Sequence, residues 1–155
     1  MRNPKIDIFN HKNFVIDKKA IKKMVSQILR LVDKDFEIIS INFVDDERLL
    51  EMNKHYLNHD YYTDILTFNF SDETISTEIF ISYERAYENA KKYKTTLEDE
   101  ILRLISHGIL HSIGFDDHTR SEKIKMRNAE NKILNSIEKI EFIKKFKVND
   151  KWQSM

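Results

Sequence analysis

The chain has 155 residues, 41% of them apolar and 34% charged, with 26 basic side chains against 26 acidic ones. That is material for one buried core rather than for a disordered polyelectrolyte, and a single domain spanning 1–155 is expected. The absence of cysteine excludes disulfides and thiolate metal sites and fits a reducing, cytoplasmic setting. A charge-broken N-terminus and the lack of any 18-residue apolar run argue against a signal peptide and a membrane span.

In chain order, Lys5–Phe9 alternates weakly and reads as an edge strand. Behind a capping Asp17, the apolar positions Ile21, Met24, Val25, Ile28, Leu29 and Val32 repeat at helical spacing to Val32. Glu37–Val44 is β-branched and apolar, a strand, and Asp46 to about Leu57 reads as a short helix. Ile65–Phe70 and Glu78–Ser82 read as two further strands, joined by the polar segment SDETIST. Helices follow over Tyr83–Tyr93, Leu97 to about Ile113, and Glu122–Leu134, with a last one over Ile137–Phe146. The sum is an α+β chain: a small mixed β-sheet of about four strands packed with about five to six helices. Pro4, Gly108 and Gly114 are the whole supply of proline and glycine, so no flexible linker can be built.

The neutral net charge hides a segregated distribution. Residues 1–35 carry nine Lys/Arg against four Asp/Glu, and 118–155 carry ten against five, whereas 36–117 carry seven against seventeen. A polyanion would have to engage the ends, where Lys18, Lys19, Lys22, Lys23 and the cluster over 139–147 are the available phosphate contacts.

The chemistry is concentrated in SHGILHSIGFDDHT. His107 and His111 stand four apart on a helix, so their imidazoles leave one face and can share a metal ion. Gly114 at the helix end suits a sharp, left-handed turn, which returns the chain towards the histidines. Asp117 then supplies a third ligand by spacing. His118, one place later, is the alternative, or else a proton shuttle or substrate contact. Three ligands with an open fourth position is the pattern of a catalytic site, and the donor set suits zinc. Gly108 stands where a zinc peptidase of the H-E-x-x-H type carries its general base, so a peptidase is the weaker reading.

Three separated motifs carry a resemblance. His107, Gly108, Leu110, His111, Gly114, Phe115 and Asp117 follow H-G-x-L-H-x-x-G-[YF]-x-[HD]. Asn53 and Tyr56, then Thr63, Asp64, Ile65, Leu66, Thr67 and Phe68, follow N-x-x-Y and T-D-[VI]-[LI]-[ST]-F. Thr77, Glu78, Ile79, Ile81 and Ser82 follow [GT]-[DE]-I-x-I-S, and Glu100, Met126 and Glu130 are also family-like. Over roughly residues 38–130 the chain thereby resembles the YbeY family, bacterial metal-dependent endoribonucleases implicated in ribosomal RNA maturation. The resemblance implies a single-strand-specific endoribonuclease acting with the small ribosomal subunit. Its partner would be RNA, without DNA specificity and without a membrane. Two positions depart from the pattern: the usual third histidine aligns with Asp117, and the arginine that commonly follows the tyrosine is Leu57.

The catalytic residues expected on this reading are Thr63, Asp64 and Arg103, the last as a phosphate contact one turn before His107. Glu100, two turns before it, lies too far along the axis to be a ligand. Outside nuclease chemistry, the alternative is a ribosome-associated factor that keeps its metal only for folding.

Overall fold

The computed structural model describes residues 3–71 and 73–154. Its main sheet contains β1 (Lys5–Phe9), β3 (Phe36–Val44), β5 (Ile75–Ser82) and β4 (Ile65–Ser71), in that spatial order. The first three are parallel, and β4 closes the sheet antiparallel to β5 with Ile65 opposite Ile81. A second, three-stranded sheet joins β2 (Phe14–Ile16), β6 (Ile143–Val148) and β7 (Lys151–Ser154). Five α-helices accompany them among the described residues: α1 (Lys18–Val32), α2 (Asp46–Leu57), α3 (Tyr83–Lys92), α4 (Leu97–Ser112) and α5 (Arg120–Ser136).

Strand alternation sends side chains to two cores. Ile39, Ile41, Phe43, Ile79 and Ile81 face α1 and α4 and join the large one. Val44, Leu66, Phe68 and Phe80 face the other way and pack with Leu49 and Met52 of α2. The sheet is therefore covered by helices on both faces, as a strand buried on both sides requires. Helix α4 is the central one, burying Ile101, Leu102, Leu104, Ile105, Ile109 and Leu110. At about 1.5–3 kcal/mol for each fully buried large aliphatic side chain, this helix is held by packing, not by propensity. Gly108 lets it lie close: a Cβ there would stand 2.8 Å from Ile79 Cδ1 and 3.3 Å from Ile65 Cδ1.

The helix starts follow their caps. Asp17 accepts from Ala20 N, Thr96 from Asp99 N, and Thr119 with Glu122 forms a reciprocal capping box that starts α5 two residues before the expected Glu122. Strand β5 also begins early, at Ile75, because its first residues pair with β3 and β4 and take over half of the expected turn.

The expected helix over Ile137–Phe146 is not formed. Ile137 caps α5, and Ile143–Val148 is strand β6, antiparallel to β2. The spacing of Ile137, Ile140 and Ile143 is helix-like, but β6 buries Ile143, Phe146 and Val148, and pairs Ile143 and Phe146 with β2 residues more than 120 positions away. Glu98 of α4 accepts the backbone N–H groups of Phe142 and Ile143, which holds the strand's start. Strands β2 and β7 were not anticipated either. Asn149 and Asp150, at φ 51° and 60°, form the two-residue hairpin turn into β7, and an Asn-Asp pair between two apolar runs is a local signal for such a turn.

Candidate metal centre

The last two turns of α4 carry His107 and His111, whose rings meet at 4.6 Å and 76° with their Nε2 atoms 3.1 Å apart. Beyond Ser112 the helix ends in a Schellman turn. Gly114 N donates to His111 O and Phe115 N to Leu110 O, with Gly114 at φ +106°. The side chain of Phe115 packs on the core, and the chain doubles back. Asp117 arrives with Oδ2 3.3 Å from His107 Nε2 and Oδ1 3.5 Å from His111 Nε2.

These separations fit a bound divalent ion. Tetrahedral coordination with bonds of about 2.0–2.1 Å sets donor atoms about 3.3–3.4 Å apart. Two imidazole nitrogens facing each other at 3.1 Å are satisfied either by a shared proton or by a cation between their lone pairs. Among the described residues this is the one group of three or more His, Asp or Glu side chains that converges so. His118 is exposed at the rim of the same cleft, outside the convergent three.

Behind His107 stands a carboxylate that spacing alone does not reveal. Glu130 of α5, 5% exposed, places Oε2 2.7 Å from His107 Nδ1 and receives Arg103 Nη1 on Oε1 at 2.9 Å. With Nδ1–H donated to Glu130, the lone pair of His107 is left on Nε2, facing Asp117 and His111. Burial disfavours the Glu130 anion, yet the hydrogen bonds from His107 and Arg103 outweigh it and hold its pKa below the usual value. Burial likewise favours neutral His107, and the charges of Glu130, Asp117 and Asp64 overcome it, raising the pKa. In the sequence Glu130 stands out only as a family-like position. Its part follows from α5 packing on α4, which brings it 23 residues back to the metal helix.

The other expected residues surround the site in different states of engagement, Arg103 and Glu100 in the part of the cleft towards α5 and Thr63 and Leu57 in the part towards α2. Arg103 spends its terminal nitrogens on Glu130 and on Asn131 Oδ1, the latter at 2.8 Å. Asp64 receives Asn89 Nδ2 at 3.0 Å, and burial raises its pKa. Glu100 is buried beside it, and desolvation together with the charge of Asp64 pushes its pKa up to about 7. Thr63 Oγ1 donates to Ile65 O, bracing the entry to β4. Leu57, at the position of the family arginine, is exposed on the opposite wall. Asn53, which sequence reading treated only as a motif position, is buried and ties that wall together: its side chain donates to Tyr61 O and its carbonyl accepts from His59 N.

The chain is also similar to known proteins. The family model described as Endoribonuclease YbeY matches residues 7–138. A protein of Bacteroides fragilis named Endoribonuclease YbeY is 38% identical over 120 residues, covering 77% of this chain and 86% of its own length. One of Christiangramia forsetii with the same name is 37% identical over 132 residues, covering 84% and 92%. The solution structure of TM1509 from Thermotoga maritima superposes with a TM-score of 0.59 at 24% identity, covering 84% of this chain and 89% of that one, a likeness of fold. Matched along most of its length, this chain belongs to the Endoribonuclease YbeY family.

Proposed function

We propose that the protein is a zinc-dependent endoribonuclease that hydrolyses phosphodiesters of single-stranded ribosomal RNA during maturation of the small ribosomal subunit. It would act in the cytoplasm as one metallohydrolase domain over 1–155. The observation that carries the reading is the convergence of His107, His111 and Asp117, with Glu130 behind His107, on an open cleft of about 650 Å³. Zinc held there supplies Lewis acidity, offsetting charge on a phosphate oxygen and bringing the pKa of water to about 7.

His107, His111 and Asp117 hold the ion, and Glu130 keeps the His107 tautomer that can bind it. Arg103, engaged by Glu130 and Asn131, serves better as a positioning residue than as the phosphate contact the spacing suggested. Asp64 and Thr63 line the cleft, and the role that fits His118, exposed at its rim, is contact with substrate. The exposed Lys18, Lys19, Lys22 and Lys23 of α1, with Lys144 and Lys145 of β6, offer phosphate contacts at a distance from the ion.

A peptidase is disfavoured on steric grounds as well as chemical ones. The position of its general base is Gly108, where even a Cβ would press on the fully buried Ile79. The test is incubation of the purified, metal-analysed protein with single-stranded ribosomal RNA and with casein, with and without chelator. Stoichiometric zinc and chelator-sensitive RNA cleavage are expected. RNA binding without cleavage would transfer the protein to the class of metal-stabilised ribosome factors, and casein cleavage would overturn the proposal outright.

A further inference from the structure

Across the cleft from α4, the wall is made by the end of α2 and the segment 58–64. Helix α2 stops at Asn58, in the left-handed conformation at φ 55°, and Asn53 then fastens the following segment through Tyr61 O at 3.0 Å and His59 N at 3.2 Å. The rings of Tyr61 and His59 lie nearly parallel, 5.1 Å between centroids and 19° between planes, with Tyr61 Oη 2.9 Å from His59 Nδ1. Tyr61 remains 57% exposed, and Leu57, His59 and Tyr61 line the same cleft as His107, His111 and Asp117. The neighbouring tyrosines are engaged elsewhere. Tyr56 packs edge-on against Phe68, and Tyr62 donates to Glu47 beneath the Arg85 guanidinium.

No lysine or arginine is among the described residues lining this part of the cleft, whereas Asp64, Asp116 and Asp117 are; Arg103, Lys123 and Arg127 line the adjoining part, on the other side of His107 and Asp117. The lysine in the last turn of α2, Lys54, is paired with Asp60 at 3.2 Å and does not line the cleft, and with Leu57 in place of the family arginine the cation is missing where the resemblance would put one. What this wall presents is a fixed, exposed ring face. Every base has a π-face to offer such a ring, but in a duplex both faces are already covered by neighbouring bases.

We infer that Tyr61, backed by His59, is the surface on which an unpaired base next to the scissile phosphate stacks. It is thereby the residue that makes this cleft take single-stranded RNA. The inference rests on the endoribonuclease reading above.

Two measurements on the full-length, zinc-loaded protein test it. Tyr61→Leu should raise KM for single-stranded RNA about 5- to 100-fold with kcat and zinc content kept, whereas Tyr61→Phe should stay within about 3-fold of wild type. In a Trp152→Phe background, which removes the chain's single tryptophan from β7, Tyr61→Trp fluorescence should be quenched by an oligoribonucleotide. The same oligomer with abasic sites, or annealed to its complement, should leave it unquenched. If wild type cuts RNA while Tyr61→Leu keeps its KM, the stacking assignment falls and the nuclease reading stands. Equal quenching by the abasic oligomer also overturns the assignment. If wild type neither binds nor cuts RNA, both fall, and quenching by an unfolded peptide instead of RNA would mark the wall as a polypeptide site.

Discussion

On the α4–α5 side of the metal cleft the charged groups hold one another: His107 on Glu130, Glu130 on Arg103, Arg103 on Asn131. On the α2–β4 side Asn53 ties down the backbone at His59 and Tyr61, and the side chains facing the cleft from the end of α2 and the segment after it include two rings and an exposed leucine, beside Thr63 and Asp64. One wall is closed and pre-organised and presents nitrogen lone pairs to a cation. The other is rigid but chemically uncommitted, free to receive what the cation acts on. Each wall carries one departure from the family pattern, Asp117 in place of the usual third histidine on the first and Leu57 in place of the arginine on the second.

The sharpest way to break the comparison is at the ligands themselves. Asp117→Ala should lose stoichiometric zinc and RNA cleavage to background. His118→Ala, from the rim, should keep full zinc content; if instead His118→Ala empties the site and Asp117→Ala does not, the assignment is reversed. A smaller effect is expected one shell out. Glu130→Gln leaves the volume unchanged but removes the negative charge that orients His107 and balances Arg103, so zinc affinity or kcat should fall about 10- to 100-fold with KM for RNA little altered. A change confined to KM would mean that Glu130 belongs to substrate binding, and the two walls would not be separate in function.

The smallest effect concerns stability on the closed wall. The folded-state pKa of Glu100 is about 7 against an ordinary 4.5, so between those values the folded protein keeps a proton that the unfolded chain has released. Stability is therefore fully present below about pH 4.5 and falls as pH rises through 7. The loss attributable to this buried group is of order 3 kcal/mol. Urea unfolding at pH 5 and pH 8 should show that Glu100→Gln abolishes this part of the pH dependence, and parallel curves for the two proteins would show that Glu100 is not held protonated.

Much of this architecture is legible locally. Helix α1 with Asp17 at its cap, α2, the strands around Ile39 and Ile79, and above all α4 with two histidines one turn apart depend on periodicity and short-range capping, which a linear sequence displays. The place of Gly114 was readable for the same reason, since a left-handed turn after a helix is a local demand. Where local spacing misled was residues 137–148. A helix-like pattern there became a strand, because pairing with β2 and burial of Phe146 outweighed intrinsic preference.

What the sequence by itself determined, then, is the pair of histidines on one helix face, the turn that follows it and the identity of the family. Only the tertiary structure decided the rest, because each remaining feature joins residues remote along the chain. It brought Glu130 to His107 through the packing of α5 on α4, and set Asp117 rather than His118 within reach of both imidazoles. It also showed that Gly108 is needed for contact with Ile79, and turned the ring of Tyr61 into the same cleft. Spacing says which side chains leave one face of one helix; which side chains meet across elements is settled by how the faces pack.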